Sequence, residues 1–323
     1  MTRMFLRLFA AVCTGLVLFG ASAKSDDYPS RPVRVIVPFA PGGLNDILGR
    51  IVGAQLSERL GKQFIVENKT GAGGVVGSDL VAKSPPDGYT LLIVSIAHAV
   101  NPALYKLPYD SLKAFAPISI FVSSPNALAV NPELPAKTLK EFIALAKSKP
   151  GDIQYASGGV GGSLHLGMEL FKLVAGIDLL HVPFRGAGPS IIDVAGGNTK
   201  AIMATIATLS PHVRSGRIRL LGVSSKVRNP SFPDVPTFEE AGVHGYEAGN
   251  WIGIAAPAGT PPEIIARLNK EISEIQDSAD FRHKADTDGA EIVKFTPAEF
   301  TSFMQRELEK WSGVVRKANI KAE

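Results

Sequence analysis

Short apolar runs alternate with longer amphipathic segments along most of the chain. The first run, residues 33–39, is β-branched and apolar and is bounded by Pro38 and Pro41, which predicts a strand. Residues 46–60 carry Ile47, Ile51, Leu56 and Leu60 near helical spacing, and Gly61 ends that helix. A strand over 64–67, a helix over 75–84 and a strand over 90–95 follow. Between the last two lies Pro85-Pro86-Asp87-Gly88, a turn in which proline fixes φ and glycine supplies φ > 0. This strand–helix–strand–helix–strand order predicts an α/β fold with a mainly parallel sheet and right-handed crossovers.

A second series begins near residue 129. It reads as a helix over 138–147, with Leu139, Phe142, Ile143 and Ala146 on one face. A strand over 153–156, a helix over 163–175, a strand over 179–182 and a helix over 189–195 come next, then strands over 201–204 and 220–224. Residues 251–256 read as a returning strand, and helices over 261–275 and 297–315 close the chain. The expected organisation is one discontinuous lobe, 24–128 plus 250–323, interrupted by a second lobe, 129–249. Each lobe should be a mainly parallel sheet flanked by helices. The two series agree in the order of their elements and not in their residues.

The N-terminus changes the compartment. Arg3 and Arg7 precede an apolar run over 8–19, then Gly20 and Ala21-Ser22-Ala23. That is the layout of a cleavable signal peptide over 1–23, so an exported, periplasmic protein is expected. The apolar run falls short of the roughly 20 residues that span a bilayer. Cys13, the one cysteine, leaves with the leader, so the mature chain has no thiolate chemistry, as an oxidising compartment allows. The formal net charge of +4 falls to +2 with the loss of Arg3 and Arg7. That is too near neutral to argue for nucleic acid, and it is compatible with a small anionic ligand.

Candidate chemistry lies where strands run into helices. In an open parallel sheet, ligands bind beyond the carboxyl ends of the strands, where the next helix presents unpaired N–H groups and the positive end of its dipole. Two turns have this character. Phe39-Ala40-Pro41-Gly42-Gly43-Leu44-Asn45-Asp46 offers two glycines for close backbone approach, with Asn45 or Asp46 as the helix cap. Ser157-Gly158-Gly159-Val160-Gly161-Gly162-Ser163 offers four glycines and two hydroxyls before a helix. One turn falls in each expected lobe, and the pair is read as facing seats for carboxylate oxygens. Tight strand-to-helix turns are the alternative reason for the same glycines. Ser95 and Thr205, at the ends of two further strands, complete the expected contacts. A third glycine-rich stretch, Gly71 to Gly77, loosely matches a dinucleotide fingerprint but reads better as a tight turn and helix packing.

Arg185 has two possible roles. It can grip a carboxylate bidentately, or it can pin its loop through an acid such as Asp193, the preferred reading. Phe39 and Phe184 are candidate cleft walls or core. His98 and His165 lie near strand ends or helix starts, and His181 beside a strand. No two of the six histidines have i,i+3 or i,i+4 metal-ligand spacing, and neither a metal nor a cofactor is expected. Gly161-Gly162-Ser163-Leu164-His165 lacks the glycine two residues after serine that a nucleophile elbow needs. An exported hydrolase using Ser157 or Ser163 is a secondary reading, and a sensor subunit for a membrane kinase is another.

At these residues the chain resembles the receptors of tripartite tricarboxylate transporters, the Bug/TctC family. The resemblance is carried by Pro38-Phe39-Ala40-Pro41-Gly42-Gly43 with Asp46, Gly71-Ala72-Gly73-Gly74, Pro86-Asp87-Gly88-Tyr89-Thr90-Leu91-Leu92, Asn101-Pro102 and Leu107-Pro108-Tyr109-Asp110. Later it is carried by Tyr155-Ala156-Ser157, His181-Val182-Pro183-Phe184-Arg185-Gly186, Asp234-Val235-Pro236-Thr237 and Ala256-Pro257-Ala258-Gly259-Thr260-Pro261. It implies a two-lobe Venus-flytrap fold of the type II periplasmic-binding class. It also implies a non-catalytic receptor that carries a small organic carboxylate to a secondary transporter of one large and one small membrane subunit. Carried over, the first-lobe contacts are Phe39, Gly42, Gly43 and Asp46, and the second-lobe contacts run from Ser157 through Gly158, Gly161 and Gly162 to Ser163. The glycine-rich second turn and His98 depart from the family's usual pattern where selectivity should lie. With Phe39, Phe184 and His98 near the cleft, the expected ligand is an aromatic mono- or dicarboxylate such as a phthalate isomer, bound by a monomer.

Overall fold

The computed structural model describes residues 28–287 and 290–321. The leader expected over 1–23 lies outside them. The first half of the fold holds β1 (Val33–Val37), α1 (Leu44–Leu60), β2 (Phe64–Asn68), a 3-10 turn (Ala72–Gly74), α2 (Val75–Ala82), β3 (Thr90–Ser95) and α3 (Ile96–Leu104). β1 lies between β2 and β3 and is parallel to both. After β4 (Phe115–Val130) and α4 (Leu139–Ser148), the same device appears a second time. It consists of β5 (Gln154–Ser157), α5 (Ser163–Ala175), β6 (Leu180–Pro183), α6 (Ala187–Ala195), β7 (Ala201–Thr205) and α7 (Ile206–Arg214). β5 lies between β6 and β7, again parallel to both. A chain reversal in strand order next to the first strand is the kind of switch point at which open α/β sheets form ligand crevices.

Antiparallel strands join the two triplets. β8 (Arg219–Val223) follows α7, and β9 (Gly249–Pro257) returns the chain. The sheet order is β2-β1-β3-β9-β4-β7-β5-β6. β4 changes partners along its length. Its segment from Phe115 to Pro125 pairs with β9, and Asn126 to Val130 pairs with β7 on one side and β8 on the other. The mixed sheet thus keeps a parallel triplet in each half.

Hydrophobic periodicity alone predicts neither the strand over 115–130 nor the helices over 96–104 and 206–214. Proline is the reason in each case. Pro117 and Pro125 interrupt the apolar run of β4, since proline cannot donate to a ladder. The structure absorbs Pro117 at a slip in register before Ser119, and it places Pro125 where the partner changes. α3 contains Pro102 and α7 contains Pro211.

Alternation along the strands assigns their two faces. Val35, Val37, Leu91 and Ile93 pack under α1 and α8 (Pro262–Gln276), while Ile36, Leu92 and Val94 face the opposite core. α9 (Ala279–Thr287) and β10 (Glu291–Ile292) precede the last helix, α10 (Pro297–Lys317). α10 packs across α3, β4 and α5, and so touches elements of both triplets. Burying Phe300, Met304 and Trp311 contributes on the order of 1.5–3 kcal/mol each.

Candidate ligand-binding site

β3 and β7 run directly into helices, and β1, β5 and β6 reach theirs through short turns. The residues at those helix starts are Gly43, Ser95, Gly162, Gly186 and Thr205, and none makes a side-chain capping bond. Away from these turns, Thr138 caps α4 and Thr296 forms a capping box with Glu299 on α10. The first-turn N–H groups at the strand ends are therefore left for another acceptor. Ser95 and Thr205 hold equivalent places after the third strand of each triplet. The halves touch near this edge, where a Cβ on Gly161 would lie 2.8 Å from Leu104 Cδ1 of α3. Gly161 also has φ of +73°, so two independent reasons exclude a side chain there.

The first turn is built around Asp46. Helix α1 starts at Leu44, with Gly43 as its N-cap, so neither Asn45 nor Asp46 caps it. Asp46 is buried and its carboxylate accepts from Gly42 N–H at 2.9 Å, Arg50 Nε at 3.1 Å and Asn68 Nδ2 at 2.9 Å. Its pKa is pushed down to about 2, chiefly by the Arg50 hydrogen bond, with the Gly42 and Asn68 donors helping against burial. These partners occupy the oxygens, so Asp46 fixes the turn. Asn68 also donates to Phe39 O at 3.0 Å. Asn68 and Arg50 escaped the sequence reading because a polar strand end and an exposed helix arginine carry no local signal. Asn45 Oδ1 is buried without a partner.

His98 is taken up by packing, whereas Phe39 is only half-buried. His98 is buried, its Nε2 lies 2.8 Å from Ser111 O, and its ring meets Tyr109 and Phe115. Phe39 packs over Gly74 and partly against the core under α1 and α8. Ser95 is buried at the start of α3 and lines a water-sized cavity with Phe39 and His98. The third glycine-rich stretch does what packing and a tight turn require, as a Cβ on Gly77 would lie 2.7 Å from Lys69 O.

In the second half, Ser157 Oγ is fully buried and sits 2.6 Å from His181 Nε2, and it accepts from Gly159 N–H at 3.2 Å. Phe184 N–H donates to Ser157 O and Gly186 N–H to Gly158 O, so the β6–α6 turn is tied to the β5–α5 turn. Ser163 opens α5, half-buried, and Gly162 is exposed. Phe184 is half-buried against the apolar cluster that holds Ile191, Val194 and Ile202. Thr205 shares a hydroxyl contact of 3.2 Å with Thr208.

The expected Arg185–Asp193 pair does not form. Asp193 is taken by Asn198 and Thr199, five and six residues along the chain. Closer local donors win over a distant guanidinium. Arg185 is exposed and has no acidic partner among the described residues. Among those residues no group of three His, Cys, Asp or Glu is placed to hold a metal ion.

Uncapped helix starts at the carboxyl ends of two parallel triplets define a two-lobed solute-binding receptor of the type II periplasmic class. The family model of the tripartite tricarboxylate transporter family receptor, TctC, matches residues 48–320. Protein BugT of Bordetella pertussis is 37% identical over 320 residues, covering 98% of each chain. The structure of R. palustris Rpa4515 with adipate aligns at a TM-score of 0.77 and 33% identity, over 92% of this chain and 100% of that one. MatC of Rhodopseudomonas palustris with bound malate aligns at 0.74 and 33%, over 89% and 100%. The chain belongs to the tripartite tricarboxylate transporter receptor family. It is a non-catalytic periplasmic receptor for a small organic acid that works with a membrane transporter.

Proposed function

We propose that this receptor closes on a short aliphatic dicarboxylate and delivers it to a secondary transporter of one large and one small membrane subunit. The observation that carries the reading is the set of five helix starts without side-chain caps. They lie after β1 and β3 in one half and after β5, β6 and β7 in the other. Each half then faces one carboxylate, with Gly42, Gly43 and Ser95 around one seat and Gly158, Gly161, Gly162, Ser163 and Thr205 around the other; the Gly42 and Gly161 amides are held by Asp46 and His165, so the donors are the first-turn amides of the helices. Arg185, exposed beside the second seat, is a cation for the distal carboxylate. Bound adipate and malate in two relatives support a flexible dicarboxylate. An aromatic ligand such as a phthalate isomer loses the wall expected from His98, which is buried against Ser111 O, Tyr109 and Phe115, and keeps the half-buried Phe39 and Phe184.

In this reading the lobes are 24–128 plus 250–323 and 129–249, the receptor acts as a monomer, and its leader is cleaved after Ala23. A thermal-shift screen of malate, adipate, citrate, phthalate isomers and sugars tests the ligand class. At about a hundred times the dissociation constant, a binding acid stabilises by about 2.7 kcal/mol. A larger shift with phthalates than with adipate or malate would restore the aromatic ligand. Shifts with sugars alone would sink the carboxylate.

A further inference from the structure

Beneath the second seat lies a stack of rings that ligand capture does not itself require. Tyr155 and His181 are neighbours on β5 and β6, and their rings are 4.9 Å apart. His165, in the first turn of α5, lies on His181 at 3.9 Å, with the two planes 6° from parallel. Each imidazole holds a different end of the glycine turn. His181 Nε2 meets Ser157 Oγ at its start, and His165 Nδ1 accepts from Gly161 N–H, 3.0 Å away, near its finish.

We propose that His165, seated on His181, is the positioning residue that fixes the ligand-facing shape of the turn from Ser157 to Gly162. This rests on the reading of that turn as a carboxylate seat. Drawing the Gly161 N–H inward leaves the next amides, at the uncapped start of α5, as the ones aimed at a ligand. Nδ1 accepts only in a ring whose proton is on Nε2. That nitrogen faces Glu169 Oε1 at 3.9 Å. Glu169 is already engaged by Tyr155 OH at 2.5 Å and Lys172 Nζ at 2.9 Å, and Lys172 also reaches Asp178 at 3.5 Å. The surroundings keep His165 neutral. Burial, then His181, then Lys172 hold its pKa down to about 3. A charged ring would have no acceptor to offer Gly161.

The test uses the full mature chain without ligand and then with adipate or malate. Asparagine places an acceptor oxygen where Nδ1 sits, and leucine fills the space without one. In His165→Leu, amide hydrogen exchange at Gly161 and its neighbours should accelerate about tenfold, and in His165→Asn it should stay near the parent rate. Affinity should fall about tenfold in the leucine variant and recover in the asparagine one. Unchanged exchange in His165→Leu, or equal acceleration in both variants, overturns the assignment. So does unaltered affinity in a leucine variant whose parent binds. If the parent binds neither acid, the carboxylate reading fails, while the exchange rates still decide whether His165 shapes the turn.

Discussion

A carboxylate beside an anion seat repels its own ligand unless its charge is spent elsewhere. Asp46 meets that condition by engaging Arg50, Asn68 and the Gly42 amide, which also shape the turn. His98 shows the opposite economy, since it is buried neutral and its pKa is lowered by burial to about 4. Its folded pKa lies below the ordinary 6.5, so the unfolded chain takes up the proton first. Its contribution is whole above about pH 6.5 and is lost as the pH falls toward 4. Thermal midpoints should therefore decline over that window. His98→Gln, whose amide still donates to Ser111 O, should flatten part of the decline; an unaltered slope would show that His98 does not drive it. Residue types at the strand ends were legible because glycine and proline punctuate them. Their partners were not. Asp46 found Asn68 across 22 positions, and Asp193 found Thr199 before Arg185, and neither choice leaves a trace in local pattern.

At the scale of elements, the helix starts of this chain differ in what meets their first N–H groups. α4 and α10 satisfy their first N–H groups with threonine, whereas the helices after β1 and β5 begin at bare glycine. Gly43 has φ −76° and ψ 164°, a conformation any residue adopts, and a Cβ there meets only Ala40 O at 3.8 Å. Nothing steric forbids a capping side chain. Gly43→Asp should stabilise the ligand-free protein by a few tenths of a kcal/mol. The same carboxylate would occupy the seat and repel an anion, weakening dicarboxylate binding about a hundredfold or more. Chemical unfolding and titration calorimetry on one preparation measure both, and retained affinity would remove this helix start from the site. Parallel triplets were readable from periodicity because each strand ends in a turn signal. α3, α7 and β4 were not, because their prolines mimic boundaries that packing overrides.

For the whole molecule, the decisive feature is β4, which belongs to both halves and changes partners at Pro125 and Asn126. The alternation of elements announced two lobes, but the strand that joins them was invisible to the same reasoning. α10 braces the crossing. Its Glu307 is buried and accepts from Trp251 Nε1 at 2.9 Å and Trp311 Nε1 at 2.8 Å, beside Lys310. Glu307→Leu strands two buried indole donors, each costing about 1–3 kcal/mol. A large fall in the unfolding midpoint, well beyond that of an exposed variant such as Gln305→Leu, is the expected result; equal midpoints would mean that α10 bears no such strain. These indoles are all the tryptophan the chain has, and Trp251 pairs with Ser123, two residues before Pro125. Every photon of tryptophan emission thus originates beside a single shared carboxylate, close to where β4 changes partners. An engineered sensor could read the state of that crossing without any attached dye.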